Sequence, residues 1–244
     1  NMINASSEDV KITFLKDIET SSGLSIRNSE NIDITLDFGE HILKCNDLSI
    51  FDKSSVVFTG TTGGISSRYN TIYVGDNSNL LIDGGEYSSV CSSILYVSGQ
   101  AAEDNVVIKS GKFSVKRDGE ISADGSIGKI LADGTVIYDS EGKIVADHNY
   151  SREFLRIKNS YVEAREHTEH RWVSGRCAIC NLADSRSMEA SAVVTVGDDY
   201  KYFDKLEDAF TEASGKKAEI ALLKDAEVEK EIIVDDANSD VTLN

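Results

Sequence analysis

Ile72-Tyr73-Val74-Gly75, followed by Leu80-Leu81-Ile82-Asp83-Gly84-Gly85-Glu86-Tyr87-Ser88, recurs as Leu95-Tyr96-Val97-Ser98 followed by Val106-Val107-Ile108-Lys109-Ser110-Gly111-Lys112-Phe113-Ser114. Tyr96 stands 23 residues after Tyr73 and Phe113 stands 26 after Tyr87, so the second copy carries a three-residue insertion around Gln100 to Asp104. Val56-Val57-Phe58-Thr59-Gly60 reads as a weaker, earlier copy of the middle strand. A repeat of this length, built from two or three short strands with Gly/Asn/Asp turns, is one coil of a parallel β-solenoid.

Working outward, Lys11–Leu15, Ile32–Leu36, Thr71–Val74 and Ile94–Val97 are further short strands rich in Ile, Val, Leu and Thr, bounded by Asn, Asp, Ser or Gly. A coil needs an apolar inner face and a backbone that pairs with the coils above and below. Ile32, Ile34 and Leu36 against Asp33 and Thr35 meet the first need, and Gly84-Gly85 and Gly111 allow sharp corners. Ile82 and Val107 are read as inward. Strand spacing alone also fits an antiparallel sandwich. Antiparallel hairpins are expected from Lys129 to Val145, at Asp133-Gly134 and again at Asp139–Gly142. Such a meander would cap an otherwise unpaired solenoid edge.

A longer repeat links the two ends of the chain. Ile12-Thr13-Phe14-Leu15-Lys16-Asp17-Ile18-Glu19 aligns with Ile220-Ala221-Leu222-Leu223-Lys224-Asp225-Ala226-Glu227, and Ile34-Thr35-Leu36-Asp37 aligns with Val241-Thr242-Leu243-Asn244 after a one-residue gap. A second module therefore begins near the C-terminus, as in a tandem array. Before it, Tyr202, Phe203, Leu206, Ala209, Phe210 and Ala213 fall at helical spacing and predict an amphipathic helix of about three turns. Its apolar stripe is expected to cover the first coil of that module. The expected fold is all-β: a right-handed parallel β-helix over 1–128, a hairpin cap over 129–160, a His/Cys insert over 161–190, and a helix-strand start of a second module over 191–244.

The insert reads Glu166-His167-Thr168-Glu169-His170-Arg171-Trp172-Val173-Ser174-Gly175-Arg176-Cys177-Ala178-Ile179-Cys180-Asn181. Cys-x2-Cys puts two thiolates on one knuckle, and two nearby imidazoles can complete a tetrahedron, so His167, His170, Cys177 and Cys180 are candidate ligands of structural zinc. Four protein ligands would leave no open position for catalysis. A Cys177–Cys180 disulfide and free thiols beside surface histidines are the rival readings. Cys45 and Cys91 stand alone in strand-rich sequence and read as buried small hydrophobes. His41 and His148 read as surface or hydrogen-bonded histidines.

The 244 residues carry 25 Lys+Arg against 42 Asp+Glu, a net charge of −17, and no proline. That balance argues against a nucleic-acid backbone or an anionic membrane, which are held by Lys/Arg. No apolar run is long enough to span a bilayer, so no membrane insertion is expected. No signal peptide opens the sequence.

The coil repeat, the Leu131–Gly134 and Tyr138–Gly142 turns, the His170-x-Trp172 to Cys177-x-x-Cys180 insert and the helix leading into Ala218–Asp225 together resemble the pectate-lyase-like β-helix modules that large secreted or wall-anchored proteins of Gram-positive, often gut, bacteria carry in tandem. The resemblance implies an extracellular or cell-wall location and neighbouring modules in the same polypeptide. In similar proteins a Cys often precedes the insert and a Gly follows its last Cys; here His167 or His170 stands upstream and Asn181 follows. The function expected is a non-catalytic surface module, a spacer or an adhesin-like binder of host or dietary glycans or proteins, with no catalytic residues and no cofactor site besides the zinc ligands. The alternative is a polysaccharide lyase or glycoside hydrolase, for which Asp52, Asp83 and Glu86 are the acids that stacked coils could bring near one another.

Overall fold

The computed structural model describes residues 8–27, 32–75, 77–90, 92–99, 105–173, 175–197, 199–226, 228, 231–232 and 240–243. It divides into two compact units, Asn1–Thr168 and Glu169–Asn244. The insertion around Gln100 to Asp104, and Cys91, lie outside the described residues.

The first unit is a parallel β-solenoid. Its first coil is β1 (Val10–Thr13), β2 (Ile18–Glu19) and β3 (Leu24–Arg27), and its second is β4 (Asp33–Asp37), β5 (Ile42–Cys45) and β6 (Leu48–Phe51). In the third to fifth coils the first two sides fuse into one long bent strand: β7 (Ser55–Ser67) with β8 (Ile72–Val74), β9 (Asn79–Ser89) with β10 (Ser92–Val97), and β11 (Val106–Val115) with β12 (Asp118–Ala123). One sheet runs β1-β4-β7-β9-β11 and the other β3-β6-β8-β10-β12, all parallel. The repeat read from sequence is the stacking register itself, since Tyr73 pairs with Tyr96 and Tyr87 with Phe113.

Period-two alternation points Ile34, Val56, Leu80 and Val106 inward in one column and Leu36, Phe58, Ile82 and Ile108 in the next, all buried. Val107 is therefore outward and only half-buried, paired with the similarly half-exposed Leu81, which corrects its inward reading. An uninterrupted Val-Val-Ile run carries no polar residue to mark the outer face. At one corner a column of rings, Phe14, Phe38, Phe58, Tyr87 and Phe113, climbs through the core with centroids 4.8–6.1 Å apart. The corner at Gly84 has φ +101°, and a Cβ there would lie 2.3 Å from the Gly60 carbonyl oxygen, so no other residue fits. Cys45 is buried above Ser67 and Ser89 in the same inner column, as a small hydrophobe.

The last coil is closed by antiparallel strands. β15 (Phe154–Lys158) pairs with β12, and β16 (Tyr161–Glu166) pairs with both β11 and β13 (Thr135–Asp139). The turn at Asp139–Gly142 does form a hairpin, between β13 and β14 (Ile144–Ala146). The Asp133-Gly134 hairpin does not form. Residues Ile127–Ile130 make a 3-10 helix and Leu131 pairs parallel with Ile108, so Asp133-Gly134 only turns the chain into β13. Ile127, Ile130 and Leu131 are all buried, a helical rather than alternating spacing.

The second unit holds a hairpin of β17 (Trp172–Val173) and β18 (Arg176–Cys177), a short helix α1 (Ser185–Glu189), and a sheet ordered β20 (Asp199–Phe203), β19 (Ala192–Val196), β21 (Lys217–Leu222), β22 (Asp240–Leu243). Helix α2 (Leu206–Ala213) packs Leu206, Ala209 and Ala213 on Ala192, Val194, Ala218 and Ile220. The helix is shorter than its sequence spacing suggested. Tyr202 and Phe203 end strand β20, where Phe203 pairs with Ala192. Among the described residues no helix is long and apolar enough to cross a membrane.

Candidate functional site

Residues 170–184 fold back on themselves twice. Trp172 pairs with Cys177 across the first hairpin, and the Cys177 N–H reaches the Leu182 carbonyl while Asn181 N–H reaches the Cys177 carbonyl, closing the knuckle. Asn181 has φ +56°, a left-handed conformation that asparagine tolerates better than most residues. His167 is buried, and its N–H is held by the Gly134 carbonyl at 2.8 Å. His170 lies against Trp172, ring centroids 4.7 Å apart.

This folding brings His167, His170, Cys177 and Cys180 together, with one ligand atom of each within 4.8 Å of the others. Metal–donor bonds of about 2.0–2.3 Å put tetrahedral donor atoms roughly 3.3–3.8 Å apart. Cys180 Sγ and His170 Nδ1 are already 3.4 Å apart, and closing the rest takes about an ångström. Burial pushes the Cys177 thiol up, but the N–H groups of Cys180 and Ile179 and the His170 ring outweigh it and bring it down to about 6. Burial pushes Cys180 up to about 11, opposed by the Leu182 N–H and helped by the Cys177 sulfur. Cys177 is thus the sulfur that loses its proton more readily, which suits it to bind a cation. Two thiols and two imidazoles, three of the four buried, fit a four-coordinate metal with no open position.

A support for this loop escaped the sequence reading. The Asp184 N–H is held by the Gly175 carbonyl, and its buried carboxylate caps α1 while accepting from the Arg186 guanidinium at 2.7 and 3.1 Å and from Tyr202 Oη at 3.0 Å. The available signal was Asp184 two residues before Arg186 at a helix start. The Arg186 guanidinium holds the Asp184 carboxyl below the ordinary range against the opposing effect of burial.

The acids considered for catalysis are each paired to a cation on a neighbouring coil. Asp83 meets Lys109 at 2.8 Å, Glu86 meets Lys112 at 3.4 Å, and Asp52 meets Arg27 at 3.5 Å. Asp83 and Glu86 share strand β9, whereas Asp52 follows β6 in the other sheet. His41 lies 3.7 Å from Asp17, and His148 Nε2 is 3.0 Å from the Ala132 carbonyl oxygen.

The sheet β3-β6-β8-β10-β12 carries a second feature absent from the motif reading. Phe51, Tyr73 and Tyr96 are half-exposed on its outer face in one row, centroids 5.3 and 5.6 Å apart, with the Arg27 guanidinium 4.5 Å over Phe51. Phe51 and Tyr73 wall two shallow depressions of about 250 and 400 Å³, the first also lined by Asp47, Ser49, Tyr69 and Asn70. No family model, curated protein or solved structure matches the chain.

Proposed function

We propose that the chain is a non-catalytic, extracellular β-helix module that binds neutral glycans along the outer face of the β3-β6-β8-β10-β12 sheet, with structural zinc closing residues 167–180. The aromatic row Phe51, Tyr73, Tyr96 carries the reading. Pyranose rings present apolar C–H faces to aromatic side chains, and the depressions beside Phe51 and Tyr73 add Asp, Ser and Asn groups for hydroxyls. The net charge of −17 favours neutral over acidic polysaccharides. Zinc is the metal that a Cys2His2 set of this spacing suits best. The extracellular location and kinship with pectate-lyase-like modules of Gram-positive surface proteins rest on the motif resemblance. Retention on neutral and acidic polysaccharides and mucin glycans, with release of new reducing or unsaturated ends measured alongside, tests this. Retention on neutral chains that Tyr73→Ala abolishes supports the reading. Product release would replace it with the lyase or hydrolase reading, and no retention would leave a spacer or protein-binding module.

A further inference from the structure

The two ends of the chain contain the same parallel strand pair. Val10, Lys11 and Ile12 of β1 pair with Ile34, Thr35 and Leu36, and Ala218, Glu219 and Ile220 of β21 pair with Val241, Thr242 and Leu243. The sequence repeat aligns Ile12 with Ile220 and Leu36 with Leu243, so the registers are identical. The opposite edges of the two strands differ. β21 is covered by the antiparallel strand β19, with Val194 opposite Ile220 and helix α2 packed over both. Among the described residues no strand pairs with β1 on that side. Ile220 is 0% and Ala218 5% exposed, while their counterparts Ile12 and Val10 are half-exposed beside the solenoid core.

We infer that the outer edge of β1 is a docking edge for a cap built like residues 191–216: an antiparallel strand followed by a hairpin partner and an amphipathic helix. Apolar side chains on an unpaired parallel edge leave both backbone donors and apolar area in water. A strand in the place of β19 satisfies the backbone groups, and a helix in the place of α2 buries Val10 and Ile12. The occupant is this cap class because the chain itself shows it seated on the equivalent edge. Val10 is larger than Ala218, so the β1 cap has to leave room for two more methyl groups.

Hydrogen exchange on the unaltered chain is the first test. The outward amides of β1 should exchange at least about tenfold faster than those of β21, and equal protection would overturn the inference by showing the edge already covered. The second test places a copy of residues 191–216 directly ahead of Asp9, in place of residues 1–8, with Val10 kept and with Val10→Ala. Protection of β1 by about tenfold or more in either graft, lost when the added copy carries Ala209→Asp, confirms the docking edge. Unprotected β1 in both grafts overturns it. So does loss of protection in β9, because a cap that fits cannot unfold the coils behind it.

Discussion

Tyr87 donates its hydroxyl to the Gly84 carbonyl oxygen at 2.9 Å, from within the buried ring column. The bond ties the core to a corner where the chain takes positive φ, and burial, reinforced by Asp83, drives the phenol far above its ordinary range, keeping it a donor at any working pH. Tyr87→Phe should cost about 1 kcal/mol in urea unfolding, the net value of one such bond. Gly84→Ala should cost roughly 3 kcal/mol or more, because strain at φ +101° adds to a clash with the Gly60 carbonyl. A Gly84→Ala chain as stable as wild type would mean that the corner relaxes.

Ile82 and Val107 face opposite ways, and charge separates them. Ile82→Asp buries an unpaired carboxylate among Phe58 and Ile108 and should cost about 4 kcal/mol or leave the solenoid unfolded. Val107→Asp should cost about 1 kcal/mol or less, as an outward strand substitution. Equal costs would place both side chains in the core.

These positions also show what a single sequence can reveal of such a fold. Tyr73/Tyr96 and Tyr87/Phe113 were legible because coils stack residue on residue, turning spatial register into sequence period. The partners of the capping strands were not, since the alternation of Leu155/Ile157 and Val162/Ala164 marks an inner face without saying which strand lies alongside. Tyr202 and Phe203 extended the stripe of α2 because a strand ending just before a helix can place apolar residues in phase with it. The His167, His170, Cys177 and Cys180 group was legible because all four lie within fourteen residues. The aromatic row was not, because Phe51 stacks over Gly75 rather than in register with Tyr73.

If zinc occupies the Cys2His2 group, the full chain should bind one equivalent, and Cys177→Ser or His170→Ala should weaken binding by roughly 100-fold or more. Trp172→Ala, which removes the ring packed against His170, should cost roughly tenfold. Because the thiols must lose their protons, the metal should leave as pH falls. Chelation should expose residues 167–184 to protease while β9 and β11 stay protected. Thiol titration of the denatured protein with and without reductant separates zinc from a Cys177–Cys180 disulfide: unchanged counts exclude the disulfide, and two thiols gained on reduction would exclude the zinc site.

Asp184 gives the second unit an acid sensitivity of defined sign. Its carboxyl is held below the ordinary value by Arg186, so its contribution is fully present above about pH 4 and is lost as pH falls through the depressed folded-state value. Asp184→Asn removes the charge while keeping an acceptor, and should destabilise β19–β21 by about 2 kcal/mol at pH 7. The same substitution should flatten the acid limb of the unit's unfolding curve below about pH 4, since the protonatable partner is gone. Arg186→Lys, which loses the two-pronged contact at 2.7 and 3.1 Å, should fall between wild type and Asp184→Asn at pH 7. The knuckle depends on the same residue through the bond from Asp184 N–H to the Gly175 carbonyl, which is backbone and survives both changes. Metal affinity should therefore move far less than stability. A loss of metal as large as that in Cys177→Ser would mean that the Asp184 carboxylate, rather than its backbone, positions the ligands.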